Sequence, residues 1–129
     1  MPLVLIDLVR GRTPEEVRTL LNVVHRAMVK AFDVPETDRY QILTQHEPYE
    51  LVLEDTGLGI TRSEARLVIR FLSRERPPEA KAELFRLLAA SLESECGIRS
   101  ADVVVAIAEN GPSDWSFGMG EAQFLTGPL

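Results

Sequence analysis

Several features that mark other classes of protein are scarce in this sequence of 129 residues. Its single cysteine, Cys96, excludes an intramolecular disulfide framework and a cluster of thiolate metal ligands. No apolar run approaches the roughly 18 residues that a transmembrane helix needs. Basic residues are in the minority, with 14 Lys and Arg against 20 Asp and Glu, and the net charge of -6 disfavours non-specific nucleic-acid binding. We therefore expect that neither a membrane nor nucleic acid is a partner.

The amino-terminal segment also lacks the marks of an export signal. MPLVLIDLVRG has no basic leader and no small-residue cleavage site, and it reaches an acid at Asp7. We therefore predict a cytoplasmic location. A hydrophobic content of 45% with 26% charged residues is ordinary for a globular protein, and the length suits one domain over residues 1–129.

Periodicity predicts four strands and two helices. Apolar runs at about residues 3–9, 38–46, 66–72 and 102–109 are typical of strands, and helical spacing covers about 12–32 and 77–95. Thr13, Pro14 and Glu16 predict the start of the first helix, and Gly97 predicts the end of the second. The turn-rich segment 51–65 has one short strand predicted at its start. The predicted apolar face of the second helix consists of Leu84, Phe85, Leu88 and Leu92.

The two halves of the chain match at a constant offset of 64 residues. Matched pairs are Leu3 and Leu67, Val4 and Val68, Pro14 and Pro78, Leu20 and Leu84, and Asp38 and Asp102. The repeated unit is βαβ, over about residues 2–46 and 66–108, and a carboxyl-terminal hairpin is predicted at about 113–127. Two right-handed βαβ units predict an α+β fold with a four-stranded mixed sheet and two helices on one face. Its other face needs cover, which predicts an oligomer.

Two arginines end the third predicted strand in the motif SRERPP. Alternate residues of an extended chain share a face, so Arg74 and Arg76 could bind one anion while Glu75 points away. Solvated charge at a strand end is the alternative interpretation. If the first strands of the two repeats pair antiparallel, Pro2 lies near both arginines. The equivalent location then brings Arg66 near Arg10 and Arg12, a duplication that also favours a purely structural origin.

A chain that begins Met-Pro and contains two βαβ units resembles the tautomerase superfamily, in which removal of methionine exposes a catalytic amino-terminal proline. Within it, the resemblance is to the malonate semialdehyde decarboxylases, through PLVLIDL, DRYQIL, EDTGLGI, SRER and DWSFGMGEAQFLTG. The resemblance implies a homotrimer that acts on a small carboxylate substrate without a cofactor. It implies catalytic roles for Pro2, Asp38, Arg74 and Arg76. The implied pocket wall consists of Trp115, Phe117 and Phe124.

Three functions remain open from the sequence. The first is decarboxylation of malonate semialdehyde or a related 3-oxo acid. The second is a keto-enol tautomerase or a hydratase of 2-oxo or unsaturated carboxylates, because Asp38 could activate water and a neutral Pro2 would be a base. The third is a trimer that binds partners without catalysis, since retention of Met1 would convert the Pro2 amine into an amide. The alternative for Asp38 is a structural role as a turn or cap residue ahead of the second strand.

Two histidines and a glycine pair have ordinary interpretations. His25 falls on a helix and His46 at a strand end, and neither has a second ligand at metal spacing, so each is expected to be solvated or hydrogen-bonded. GLG at 57–59 lacks the context of a dinucleotide-binding loop and is predicted to be a turn. No metal site is predicted.

Overall fold

The computed structural model describes residues 2–129, so the predicted removal of Met1 lies outside the described residues. The sheet order is β2-β1-β3-β4. Its strands are β1 (Leu3–Val9), β2 (Tyr40–His46), β3 (Leu67–Arg74) and β4 (Val103–Asn110). The helices are α1 (Pro14–Phe32), α2 (Pro78–Cys96) and the short α3 (Gln123–Thr126). The predicted α+β fold with a four-stranded mixed sheet is confirmed.

Local sequence signals set the ends of both long helices. The Thr13 hydroxyl accepts the Glu16 amide at 3.1 Å, and the Glu16 carboxylate accepts the Thr13 amide at 2.8 Å, which completes the predicted capping box. Gly97 ends α2 with φ +66°, a left-handed conformation that costs glycine little. Asp33, its counterpart in the first repeat, takes the same conformation with φ 50°.

The pairing of the strands is consistent with the 64-residue repeat of the sequence. β1 pairs parallel with β2, β3 pairs parallel with β4, and β1 and β3 run antiparallel. In that central pairing Leu3 lies opposite Leu72 and Leu8 lies opposite Leu67. Exchanging the repeats converts one pair into the other, because Leu67 is the repeat equivalent of Leu3 and Leu72 is the repeat equivalent of Leu8. The pseudo-twofold axis therefore passes between β1 and β3.

One face of the sheet is buried beneath α1 and α2. Fully buried residues alternate along the central strands, at Val4, Ile6 and Leu8 of β1 and at Leu67, Ile69, Phe71 and Ser73 of β3. Leu84, Leu88 and Leu92 of α2 are also fully buried. The prediction for Phe85 is wrong, because its side chain is 42% exposed. At 3.6 residues per turn it falls one position beside the buried stripe.

The opposite face of the sheet is uncovered in the isolated chain. On this face Ile42 is 53% exposed and Tyr40 is 41% exposed. This face is less apolar than the sequence suggested, because Asp7 accepts hydrogen bonds on it from His46 Nε2 at 2.7 Å and from Arg70 at 3.0 Å. The interpretation of His46 as a hydrogen-bonded histidine is confirmed.

Two predictions outside the repeats are wrong. The predicted hairpin at 113–127 contains no strand, and the segment instead comprises part of a 3-10 turn at Pro112–Asp114, irregular backbone and α3. The Gln123 side chain replaces a strand partner, since it accepts the Phe117 amide at 2.9 Å and donates to the Gly118 carbonyl at 2.8 Å. The short strand predicted after residue 50 is also absent from the described chain. No helix within residues 2–129 has the length and apolar character required to cross a bilayer.

Candidate active site

Four strand ends meet at one edge of the sheet. β1 and β2 start there and β3 and β4 end there, because β3 runs antiparallel to β1. The topology therefore gathers residues that are distant in sequence. We call this edge the site end, defined by Pro2, Asp38, Arg74 and Arg76. The other edge is the opposite end, defined by the residues at the 64-residue offset, namely Arg66, Asp102, Arg10 and Arg12.

Pro2 is buried at the site end, immediately before β1. Leu3 pairs with Leu72, and continuing this antiparallel register by one residue places Pro2 opposite Ser73. Ser73 is fully buried, and its hydroxyl donates to the Arg74 carbonyl at 2.8 Å while it accepts Arg76 Nε at 3.3 Å. The proline therefore lies beside the serine that connects the two arginines. Sequence reasoning missed Ser73, because a single serine in an apolar strand gives no signal.

The two arginines approach the site end from different directions. β3 ends at Arg74, so the alternation that placed both side chains on one face does not extend to Arg76. The guanidinium of Arg74 lies 4.6 Å from the ring centroid of Phe124, whereas that of Arg76 lies 5.0 Å from the ring centroid of Phe32. Both residues nevertheless line one surface pocket of about 540 Å³, together with Glu75, Pro77, Asn110, Gly111 and Pro112.

Arg76 is fixed more firmly than Arg74. Its Nη1 donates to the Phe32 carbonyl at 3.3 Å, and its backbone amide donates to the Glu109 carboxylate at 2.9 Å. Burial and the nearby Arg74 charge lower the pKa of Arg76, although the Asp38 charge opposes that shift. In contrast, the Arg74 guanidinium is exposed and has no hydrogen-bond or ion-pair partner within residues 2–129. Arg74 is therefore free to bind an external anion.

Asp38 lies in the loop between α1 and β2, two residues before the strand that pairs with β1. Its amide donates to the Pro35 carbonyl at 3.0 Å, which makes a tight turn. Its carboxylate is half-buried and close enough to Arg76 to affect that group's pKa, yet it accepts no hydrogen bond from residues 2–129. The backbone has the turn role that was the structural alternative, while the carboxylate remains available.

Aromatic rings form a continuous wall beside Arg74. Trp115 and Phe117 stack at 5.4 Å, and Phe117 meets the edge of Phe124 at 5.4 Å. Trp115 Nε1 donates to Asn110 Oδ1 at 2.8 Å, which attaches the wall to the end of β4. The structure therefore brings together the three predicted wall residues. It adds Tyr40, 5.6 Å from Phe117, which the sequence analysis took for an ordinary strand residue.

Cys96 lies outside the site end, and possible metal ligands occur throughout the described chain. Cys96 is free and half-buried, and burial raises the pKa of its thiol, which disfavours the reactive thiolate. Across residues 2–129 there is no group of three or more His, Cys, Asp or Glu side chains arranged to hold a metal ion.

Comparisons with known proteins identify matching family models and similar solved structures. Two family models, both described as tautomerase enzyme, match residues 38–118 and residues 2–60. The chain is 52% identical over its full length to the full length of a probable tautomerase, YrdN, of Bacillus subtilis (strain 168). A solved malonate semialdehyde decarboxylase, described with decarboxylase and hydratase activities, is 51% identical with a TM-score of 0.96 over 98% of both chains.

Two further solved structures extend the comparison. The malonate semialdehyde decarboxylase FG41, inhibited by 3-bromopropiolate, is 41% identical with a TM-score of 0.94, over 98% of this chain and 97% of the other. A fused 4-OT protein described as a symmetric trimer is only 20% identical, with a TM-score of 0.79 over 97% and 98% of the two chains. That last likeness concerns the fold alone.

Proposed function

This chain belongs to the tautomerase family, and we propose that it is a decarboxylase of malonate semialdehyde or a related 3-oxo acid that uses Pro2 as its catalytic amine. The observation that carries the proposal is the Arg74 guanidinium, which has no polar partner in the described chain and lines one pocket with Arg76, while the buried Pro2 lies at the same end of the sheet, opposite Ser73 in the strand register. Similarity to two malonate semialdehyde decarboxylases over nearly the whole chain supports this choice of substrate.

The reaction breaks the bond between the carboxylate carbon and the carbon next to the aldehyde. The bonding electrons move toward the carbonyl oxygen as carbon dioxide leaves, so an enolate develops. A protonated Pro2 would donate a hydrogen bond to that oxygen. In the alternative route the neutral amine would add to the carbonyl and expel water to form an iminium, whose nitrogen accepts the bonding electrons as an enamine, and water would hydrolyse the iminium after carbon is protonated. A proton then adds to carbon, and acetaldehyde is the product.

The arginines orient the substrate carboxylate in this proposal. Bidentate hydrogen bonds from Arg74 or Arg76 would turn the breaking bond into overlap with the carbonyl π system. Charge pairing that is equally strong before and during reaction gives no acceleration, so orientation is the useful part of this contact. Arg76 is held at its backbone and side chain by Ser73, Phe32 and Glu109, which suits that task.

Pro2 requires a free amine for this role, so the proposal includes removal of Met1. Asp38 would favour the cationic form of that amine through its negative charge, and both arginines would favour the neutral form. Because the Asp38 carboxylate has no hydrogen-bond donor among residues 2–129, its charge is not shared with another side chain at close range. We therefore assign Asp38 the role of keeping Pro2 protonated.

A homotrimer is part of the proposal. The exposed apolar residues of the uncovered sheet face need cover, and a fold relative is described as a symmetric trimer. The pocket at Arg74 and Arg76 is walled only in part by this chain, and neighbouring subunits would close it.

The second candidate is a hydratase or tautomerase that uses the same residues on 2-oxo or unsaturated carboxylates. It is favoured by the available Asp38 carboxylate, which could activate water, and by the probable tautomerase that is 52% identical.

The deciding experiment follows carbon-13 labelled malonate semialdehyde by NMR. Protein whose intact mass verifies loss of Met1 is compared with Pro2→Ala and Arg76→Ala. Rapid formation of acetaldehyde that both substitutions abolish would establish the decarboxylase. Unchanged malonate semialdehyde together with turnover of phenylpyruvate enol or hydration of an unsaturated acid would instead establish the second candidate. If the protein turns over none of these compounds, a trimer that only binds partners is left.

A further inference from the structure

Each βαβ unit has a loop that joins its helix to its second strand, and the two loops are held in different ways. The first loop, residues 33–39, carries Asp38, and the second, residues 97–102, carries the equivalent Asp102. We propose that His25 is a positioning residue that holds the first loop from α1 and so leaves the Asp38 carboxylate free for catalysis. This inference rests on the proposed role of Asp38.

The contact that carries the proposal is a buried hydrogen bond from the side chain to the backbone. His25 is only 7% exposed, and its Nε2 lies 2.8 Å from the Glu36 carbonyl oxygen. A carbonyl oxygen can only accept, so Nε2 carries the proton and donates it. The bond reaches the middle of the loop, two residues before Asp38. It is connected to Asp38 through the turn in which the Asp38 amide donates to the Pro35 carbonyl at 3.0 Å.

The environment of the other ring nitrogen indicates that His25 does not serve to stabilise the core. Nδ1 is buried and has no hydrogen-bond partner among residues 2–129. An unpartnered buried polar atom is costly, and an apolar side chain of similar size would avoid that cost. The favourable contribution of this ring is therefore its bond to Glu36.

The second repeat shows what happens without such a histidine. The equivalent of His25 is Ala89, which has no side-chain donor. There the carboxylate itself holds the loop, because Asp102 accepts the Ser63 amide and hydroxyl, each at 2.6 Å, and is 1% exposed. An aspartate used in this way has no free oxygen for a ligand. In the first repeat His25 holds the loop by its backbone, so Asp38 does not have to.

One further contact from α1 acts near the same loop. Arg39 Nη2 donates to Asn22 Oδ1 at 2.8 Å, but both residues are exposed and the bond joins two side chains. Exposed contacts of this kind exchange readily with water and restrain the backbone weakly. His25 therefore supplies the buried polar restraint nearest Asp38, while Val34 packs against the core at the start of the loop.

Neither arginine makes a hydrogen bond to residues 33–39 in the described chain, although Arg76 Nη1 donates to the carbonyl of Phe32, the last residue of α1 before the loop. Arg74 and Arg76 belong to β3 and the residues after it, on the far side of β1 from the loop. Loss of the His25 bond should therefore displace Asp38 while binding of the substrate carboxylate continues. We expect kcat to fall while KM changes little.

The test compares His25→Leu, which removes the donor, with His25→Gln, whose amide can still donate at the position of Nε2. Leu88→Val is the matched control, since Leu88 is a fully buried residue of α2, the helix of the second repeat. For each protein we would measure hydrogen exchange at the Asp38 and Arg39 amides, together with kcat and KM. His25→Leu is also made in the Asp38→Asn background.

In His25→Leu we expect exchange at both amides to rise and kcat to fall about tenfold with unchanged KM, since small misplacements of a catalytic group carry such costs. His25→Gln should restore both, and His25→Leu should have no further effect on kcat when Asp38 is already Asn. Unaltered exchange in His25→Leu, or a full additional loss of kcat in the Asp38→Asn background, would overturn the inference. Failure of the proposed function is recognisable separately, because wild-type protein would then lack decarboxylation while the exchange difference could still be measured.

Discussion

The two ends of the sheet contain equivalent residues, but only the site end leaves charged groups without partners. At the opposite end Arg10 forms an ion pair with Glu47 at 2.7 Å, and Arg12 donates to the Ala65 carbonyl at 3.1 Å. The equivalent groups at the site end are Arg74, whose guanidinium has no polar partner within residues 2–129, and Arg76, whose guanidinium makes two long hydrogen bonds of 3.3 Å while its backbone amide donates to Glu109 at 2.9 Å.

The position of Pro2 shows the same difference between the two ends of the sheet. Arg66, the equivalent of Pro2, donates to the backbone carbonyls of Pro48 at 2.7 Å and Leu51 at 2.8 Å, and so closes the segment that links the two repeats. The comparison shows that the opposite end of the sheet uses its charges to hold loops, while the site end keeps Arg74 and Asp38 available to a ligand. Residue type alone does not distinguish these two uses.

The strongest way to break this comparison is to remove both arginines at each end. We expect Arg74→Gln with Arg76→Gln to reduce kcat/KM for malonate semialdehyde by about 10³-fold, because the pair orients the substrate carboxylate. Arg10→Gln with Arg12→Gln should leave turnover nearly unchanged and should lower only the free energy of unfolding. Steady-state kinetics and urea denaturation measure the two effects. Similar losses of turnover from both pairs would show that the ends are functionally alike.

Substitution of the equivalent aspartates, one at each end of the sheet, sharpens the comparison. Asp38→Asn should lower kcat by about 10²-fold, as for the loss of one preorganised charged group, with little change in stability. Asp102→Asn should lower the free energy of unfolding by about 1–3 kcal/mol, because its buried oxygens accept both the amide and the hydroxyl of Ser63. Urea unfolding and kinetics on both variants check this. Equal destabilisation by the two substitutions would contradict the assignment of different roles.

A smaller effect is expected from the aromatic wall. Phe124→Leu removes the ring beneath the Arg74 guanidinium, a contact worth about 0.5–1 kcal/mol at exposed sites, so kcat/KM should fall about two- to fivefold. The control is Phe85→Leu, which alters an exposed phenylalanine on α2 far from the site. If the two variants have the same kinetics, Phe124 has no part in holding Arg74.

The smallest effect concerns pH. Hydrogen bonds from Lys81 and from the Arg76 amide lower the pKa of Glu109 below its ordinary value of 4.5. A lowered carboxyl pKa means that the stabilising contribution is complete above pH 4.5 and is lost as pH falls through the lower, folded-state value. The difference in unfolding midpoint between wild type and Glu109→Gln should therefore be small at pH 7 and vanish in acid.

A substitution at a second carboxylate provides the control for Glu109→Gln, and the quantity compared is KM. Glu83→Gln removes another carboxyl whose pKa is lowered, in that case by Arg86, but Glu83 does not contact Arg76. Only Glu109→Gln should raise KM. An increase in KM with Glu83→Gln would point to a general effect of surface charge.

Much of the fold could be predicted because its signals are local and occur twice. Thr13, Pro14 and Glu16 specify a helix start through neighbouring backbone groups alone. The 64-residue offset made antiparallel pairing of β1 with β3 the condition under which Pro2 would lie near the two arginines, and that pairing is observed. The carboxyl-terminal segment has no repeat and no clear period, and its conformation depends on the Gln123 side chain bonding to backbone at Phe117 and Gly118, a contact without a sequence signal, so the hairpin prediction failed.

The sequence by itself determined the four strands of the sheet, the two long helices and the pseudo-twofold symmetry, because periodicity and capping depend on near neighbours, while the resemblance to a family implied the residues of the site end. Only the tertiary structure decided which of the equivalent charges are free. That distinction depends on partners far away in sequence, such as Ser63 for Asp102 at a separation of 39 residues. A hydrogen bond is satisfied by geometry in three dimensions, and the order of residues along the chain does not contain it.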